Sequence, residues 1–283
     1  MKAAILKTFG SSLVVETLPD PILGTGEVVV DVVVDGVLPY ANEVFSGKRK
    51  YLLSLPMASA AGAIGRVRSV GPDATRLVVG DWVFCDPTVR SRDDALTPDI
   101  TLQGLSARGV VCACRSISHH GSFAEQMLVP TENAISIGSI DPEEAGRWCA
   151  LNLLLVPYGG LLAANLQAGE TILISGATGN FGSAGVAVAL AMGAGCVVAP
   201  GRNEKMLEDL ARRFGHRLRT VKLSGDEGED RERMKQAAPG PMDCVLDILP
   251  PSAGTTPVRA AAMTVREFGR SSKTTVLNDQ ISV

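Results

Sequence analysis

Three glycines spaced by three, Gly176, Gly179 and Gly182, follow the apolar run Thr171–Ser175 and precede the apolar stretch Val186–Met192. A strand, a glycine turn and a helix in that order bring backbone N–H groups and a helix N-terminus against a phosphate. A dinucleotide pyrophosphate suits that arrangement. The spacing is G-x-x-G-x-x-G rather than G-x-G-x-x-G, so the neighbouring elements have to support the reading. Thr178, Asn180 and Phe181 fill the turn, where they can line the phosphates or an adjoining cleft. Other chemistry-bearing residues are poorly grouped. Cys112 and Cys114 stand close together but far from the other cysteines. His119 and His120 are adjacent, and adjacent side chains in a strand point to opposite faces, so they do not readily share an ion. Asp93 and Asp94 carry no acid–base pattern and are given no role.

The composition is that of a folded protein with a sizeable core. The chain has 283 residues, enough for two domains, with 46% hydrophobic and 20% charged residues. A net charge of −3 gives no general affinity for nucleic acid or an anionic membrane. The 4% aromatic content argues against base-stacking platforms. No apolar run is long enough to span a bilayer, and the N-terminus lacks a charged-then-apolar signal. The six cysteines are scattered, several of them in apolar runs. Reduced thiols and a cytoplasmic location are the expectation.

The elements around the glycine turn fall into two styles. Up to residue 140 the chain reads as short strands: 2–6, 27–34, 65–70, 78–84 and 123–129, separated by turn signals such as Gly24-Thr25-Gly26 and Gly71-Pro72-Asp73. Many short strands with such punctuation predict a partly open barrel or folded sheet. The stretch 90–120 reads as a long surface excursion. At Asp141-Pro142-Glu143-Glu144 the style changes, with an N-cap, a proline at N1 and acids in the first turn. Strands at 171–175, 196–199, 220–223 and 243–249 then alternate with helices, one of them capped by Asn203. Residues 257–268 read as a helix with Gly269 at its C-cap. Such alternation predicts a parallel sheet with helices on both faces.

Taken together, these residues resemble the medium-chain dehydrogenase/reductase superfamily, and most closely its zinc-free quinone-oxidoreductase-like branch. The markers are Met1-Lys2-Ala3-Ala4, Gly26-Glu27-Val28, Gly65-Arg66-Val67, Gly80-Asp81-Trp82-Val83, Gly121-Ser122-Phe123-Ala124-Glu125, Gln167-Ala168-Gly169-Glu170-Thr171 and the glycine turn. The resemblance implies an α/β chain with a GroES-like β domain over residues 1–140. A Rossmann domain, a doubly wound parallel sheet, follows over 141–283, and the active site lies between them. It also implies a nicotinamide cofactor. NAD-selecting members place an acid after the second strand, to accept from the ribose 2′-hydroxyl. Here the chain reads Ala199-Pro200-Gly201-Arg202-Asn203-Glu204-Lys205. Arg202 could grip a 2′-phosphate and Lys205 could add charge, so NADP(H) is preferred to NAD(H). Asp247 and Leu249 end the strand where members contact the ribose and nicotinamide side.

Zinc-dependent members hold their metal with a Cys, a His or carboxylate, and a second Cys. By local alignment those positions here are Leu38, Ala61 or Gly62, and Asn152. An amide is a poor zinc ligand, so no metal is predicted. Hydride transfer without zinc needs alignment and a donor to the developing negative oxygen. Tyr40, Asn42 and Asn152 are the candidates, while Tyr51 reads as a structural residue. After Arg270 the family continues with more strands, whereas this chain runs into the polar stretch 271–283. The Rossmann sheet is therefore expected to be incomplete, with Thr274–Leu277 as a short fifth strand.

The expected activity is reduction of a carbonyl, quinone or activated alkene, with a small-molecule substrate and a homodimer admitted. The alternative is a non-redox isomerase, lyase or cyclase, or an inactive truncated member.

Overall fold

A computed structural model of the chain describes residues 1–60, 62–92, 96–106 and 121–274. The chain divides into two compact units, Met1–Asn152 and Leu153–Val283.

Unit 1 is built from short antiparallel strands. They are β1 (Lys2–Leu6), β2 (Val14–Thr17), β3 (Glu27–Asp35), β4 (Met57–Ala58), β5 (Ala63–Val70), β6 (Trp82–Cys85), β7 (Thr88–Arg90), β8 (Ile100–Leu102), β9 (Gln126–Pro130) and β10 (Ala134–Ser136). Three form a sheet in the order β2-β1-β4, and five form another in the order β10-β6-β5-β3-β9. β7 and β8 make a two-stranded ribbon. The β-branched run of β3 explains its central place, since such side chains fit a pleated, half-buried surface. Val28 and Val30 of β3 pack with Ala63, Val67, Val83, Met127 and Val129 in one core cluster. Among the described residues, the unit also holds the short helices α1 (Ala41–Phe45) and α2 (Ala145–Trp148). Asp141 accepts from the Glu143 N–H at 3.0 Å, as its capping position predicts.

A third helix, α3 (Leu151–Ala163), leads into unit 2. There the strands are β11 (Thr171–Ser175), β12 (Cys196–Gly201), β13 (Leu218–Lys222), β14 (Met242–Asp247) and β15 (Val265–Lys273). They form one parallel sheet in the order β13-β12-β11-β14-β15. The order reverses between β11 and β14, which makes the carboxyl ends of these strands a topological switch point. The helices are α4 (Asn180–Ala191), α5 (Glu204–Phe214), α6 (Glu227–Ala237) and α7 (Thr256–Ala262). All five residues of β11 are buried. Ile172 and Ile174 enter one core cluster with Val186 and Ala189, and Leu173 enters the other with Met234 and Ala260. A strand covered on both faces needs an uninterrupted apolar run, and Thr171–Ser175 supplies one.

Three sequence-based expectations are corrected. Residues 257–268 are not one helix. The helix stops at Ala262, where the Thr264 hydroxyl donates to the Ala261 carbonyl at 2.6 Å, and β15 begins at Val265. The fifth strand is thus β15, ahead of residues 274–277, of which 275–277 lie outside the described residues. Its register against β14 steps from Met242↔Val265 to Cys244↔Arg270, so the strand bulges outward between these pairs. Phe268, at φ +59° and fully exposed, sits on that bulge. A short apolar run without a clear period fits helix or strand equally well, and pairing with β14 decides it. The expected strand 78–84 also shrinks to Trp82–Cys85, because Val78 and Val79 are exposed in the turn that Gly80 closes at φ +95°. The pairs Cys112/Cys114, His119/His120 and Asp93/Asp94 all lie outside the described residues.

Candidate functional site

The glycine turn leaves the carboxyl end of β11 in a conformation only glycine accommodates readily. Gly176 has φ +84°. A Cβ at Gly182 would lie 1.9 Å from the Gly176 carbonyl oxygen and 2.8 Å from the Ala177 Cα, so the helix start is pressed onto the turn. Gly179 occupies the N-cap of α4, extended at φ −80° and ψ 170°, and its N–H donates to the Gly176 oxygen at 2.9 Å. Without a capping side chain, α4 presents its first turn of backbone amides, a surface that suits an anion.

A cavity of about 300 Å³ opens beside this turn. Its walls come from the carboxyl ends of four strands. Ser175 ends β11 and Gly176 and Thr178 follow it, Gly201 ends β12 and Arg202 follows it, Gly225 follows β13 and Leu249 follows β14. Helices α6 and α7 add Asp230 and Ala260. Asp230 is 3% exposed and saturated with donors. It accepts from the Ser224 N–H at 2.6 Å, the Ser224 hydroxyl at 3.0 Å and the Gly225 N–H at 3.0 Å. A carboxylate so occupied fixes the loop after β13 rather than waiting for a ligand.

Of the residues singled out from sequence, Gly176, Thr178, Arg202 and Leu249 line this cavity. Gly182 is buried beneath the turn, Gly179 and Asn180 are exposed, and Phe181 is half-buried. Asn203 caps α5 by accepting from the Met206 N–H at 3.2 Å. Lys205 is exposed in the first turn of α5. Asp247 does not line the cavity. It is buried at the end of β14, where one oxygen accepts from the Leu249 N–H at 3.1 Å and the other lies 3.7 Å from the Lys273 ammonium.

The unit 1 candidates have separate surroundings, with Tyr40 packed by Arg49 and Tyr51 and Asn152 beside Gly36 and Gly62. The Tyr40 ring lies under the Arg49 guanidinium, 4.1 Å from its centroid, and meets Tyr51 edge-on at 6.3 Å. Burial pushes the Tyr40 hydroxyl well above the ordinary tyrosine range, with a further rise from Tyr51, so it stays a neutral O–H donor. Asn42 is exposed on α1. The Asn152 amide sits between two glycines. A Cβ at Gly62 would lie 2.3 Å from its oxygen, and one at Gly36 would lie 3.5 Å from its nitrogen. That nitrogen is buried without a hydrogen-bond partner.

Sequence reasoning missed Asp35, which closes β3 beside Gly36. Its Oδ2 accepts from the Ser122 hydroxyl at 2.8 Å, while Oδ1 is buried without a partner. Burial pushes its carboxyl up to about 6, against the pull of the Ser122 and Gly36 hydrogen bonds. The buried Cys85 thiol is pushed up to about 12, first by burial and then by the Asp35 charge. The only sequence signal for Asp35 was an acid ending an otherwise apolar run. Lys222 and Asp230 were missed as well, since a charged strand end and a charged helix look like solvated faces.

The positions that the sequence reading aligns with zinc ligands carry these side chains. Leu38 and Gly62 carry no ligand atom, Ala61 lies outside the described residues, and Asn152 offers only its amide. Among the described residues, no three His, Cys, Asp or Glu side chains are grouped to hold a metal. No helix of the described residues is long and apolar enough to cross a membrane.

Residues 24–139 match the family model of the alcohol dehydrogenase GroES-like domain. The chain is 29% identical over 224 residues to L-threonine 3-dehydrogenase of Saccharopolyspora erythraea, covering 76% of this chain and 61% of that protein. It is 27% identical over 216 residues to acryloyl-coenzyme A reductase of Metallosphaera sedula, covering 72% of this chain and 60% of that protein. The chain therefore spans about three fifths of the length of these curated relatives. The alcohol dehydrogenase from Thermus sp. ATN1 shares the fold, with a TM-score of 0.80 at 22% identity, covering 99% of this chain and 79% of that one. The match over residues 24–139, the glycine turn at the switch point and these similarities support the medium-chain dehydrogenase/reductase superfamily.

Proposed function

We propose that the chain acts as a zinc-independent, NADP(H)-dependent oxidoreductase on a small carbonyl, quinone or activated alkene. The observation that carries this reading is the glycine turn beside the cavity, with Arg202 on its wall. The space left by the missing Cβ atoms suits a pyrophosphate approached by backbone. The turn from Gly176 to Gly182, with Thr178, Asn180 and Phe181, would hold the phosphates. Arg202, with Asn203 and Lys205 beside it, would hold the 2′-phosphate, and Asp247 and Leu249 would border the ribose and nicotinamide side. No acid ends β12, which supports NADP(H) over NAD(H). A bound nicotinamide cofactor supplies or accepts the hydride. Tyr40, held neutral by its burial, donates a hydrogen bond to the substrate oxygen, and the amides of Asn42 and Asn152 are further donors. Leu38, Gly62 and Asn152 in place of metal ligands support zinc independence. The related threonine dehydrogenase and acryloyl-coenzyme A reductase support the substrate classes, an alcohol–carbonyl pair and an activated alkene.

The test is a titration with NADPH and NADH followed by reduced-coenzyme fluorescence, then turnover over a panel of aldehydes, quinones and enones. Saturable binding with tighter NADPH, and turnover of at least one substrate class, is expected. Absence of binding to either coenzyme overturns the proposal. Binding without turnover across the panel points to a member that has lost hydride transfer.

A further inference from the structure

The carboxyl ends of β12 and β13 are tied together beyond their last strand residues. Gly201 and Lys222 are paired in the parallel ladder. The ladder continues one step as the Leu223 N–H donates to the Gly201 carbonyl at 3.0 Å. At the next step a side chain takes over, and the Lys222 ammonium donates to the Arg202 carbonyl. Lys222 is itself held, because Arg233 of α6 donates to its carbonyl at 3.0 Å and pairs with Glu229. Asp230 then fixes Ser224 and Gly225. Every residue from Lys222 to Gly225 is thus anchored.

The tie restrains the backbone of Arg202 while leaving its side chain in solvent. Among the described residues, Arg202, Lys205 and Lys222 enter no ion pair. Lys222 lies on the β13 face of Leu218 and Thr220, opposite Val221. Leu218 packs in the cluster that holds Leu210 of α5, whereas Val221 packs with Met234 of α6. Lys222 therefore stands on the α5 side of the turn that carries Arg202 and Lys205. An arginine leaving a fixed Cα loses less freedom when it grips an anion. An ammonium with two unspent N–H donors adds positive charge beside it.

We infer that Lys222 is a positioning residue that sets Arg202 for a ribose 2′-phosphate and thereby determines coenzyme specificity. This rests on the dinucleotide reading of the cavity. It deepens that reading by placing the discrimination in a link between two strand ends rather than in one arginine.

The experiment uses adenosine 2′,5′-bisphosphate and adenosine 5′-monophosphate, which share the adenosine and differ in the 2′-phosphate. Calorimetry gives both dissociation constants for the wild type, Lys222→Met and Lys222→Arg, and thermal midpoints report folding. The wild type is expected to bind the bisphosphate about tenfold tighter than the monophosphate, a difference of about 1.4 kcal/mol. Lys222→Met keeps the apolar stem and loses most of that preference, while its monophosphate affinity stays within about twofold. Lys222→Arg retains the preference.

A Lys222→Met protein that weakens both ligands equally, or that keeps the wild-type ratio, overturns the inference. A wild type that binds both ligands equally overturns it together with the NADP(H) preference, while the dinucleotide site stands. A wild type that binds neither overturns the dinucleotide reading itself.

Discussion

Asp230 in unit 2 and Asp35 in unit 1 are carboxylates held in opposite ways. Asp230 is buried and receives three hydrogen bonds from Ser224 and Gly225. Asp35 is half-buried and receives the Ser122 hydroxyl on one oxygen, while its other oxygen has no partner. Around Asp230 the polar atoms are satisfied locally, and the cavity wall they support is finished by the chain itself. Around Asp35 the polar groups are incomplete, with the Asn152 amide nitrogen also unpartnered. A satisfied buried carboxylate rigidifies its surroundings, whereas an incompletely satisfied one disfavours its own charge. The two regions thus differ. The strand ends of unit 2 are tied by their own hydrogen bonds, and the end of β3 keeps a carboxyl that burial raises to about 6.

The comparison breaks most visibly at the glycine turn. Gly182→Val forces a side chain into the Gly176 carbonyl, and about 3 kcal/mol or more of stability is expected to go, along with coenzyme affinity. Chemical denaturation and an NADPH titration check both. Next comes Asp230→Ala, which strands the donors of Ser224 and Gly225. A loss of about 3 kcal/mol in denaturant unfolding is expected, and a loss below about 0.5 kcal/mol would show that the loop holds without its carboxylate.

Asp35→Asn should act in the opposite direction. The Asp35 carboxyl is raised from an ordinary 3.8 to about 6 in the folded chain. Its contribution to stability is therefore fully present below pH 3.8 and is lost as the pH rises through about 6. Asparagine carries no charge, so the variant should gain on the wild type as the pH rises over that window. The gain should level off above pH 7 on the order of 1–3 kcal/mol. Thermal midpoints of both proteins from pH 4 to 8 test it, and a difference that does not change with pH would refute the assignment. The smallest expected effect is Arg202→Ala, with about tenfold weaker NADPH and NADH affinity within about twofold. Equal weakening of both coenzymes would remove Arg202 from the 2′-phosphate site.

How legible these regions were follows from their physics. The glycine turn was readable because backbone geometry dictates residue type there. Gly176 needs a positive φ and Gly182 has no room for a Cβ. The continuous apolar run of β11 announced a strand buried on both faces, and Asn203 announced the start of α5. Asp35 and Asp230 were illegible because an isolated acid has the same letter whether it is solvated or buried. Only the fold brings Ser122 to Asp35, 87 residues apart in sequence. Lys222 was hidden for the same reason, since its partner is a backbone carbonyl 20 residues away. The end of unit 2 misled because Val265–Lys273 lacks a period of either kind, and pairing with β14 sets its structure.

Hydrogen–deuterium exchange with and without saturating NADPH tests the central claim most directly, because it reports where a dinucleotide binds. Slowed exchange concentrated in residues 175–183, 200–206 and 222–225, with little change in β1 and β2, is predicted. Binding of NADPH with no protection at the glycine turn would contradict the account.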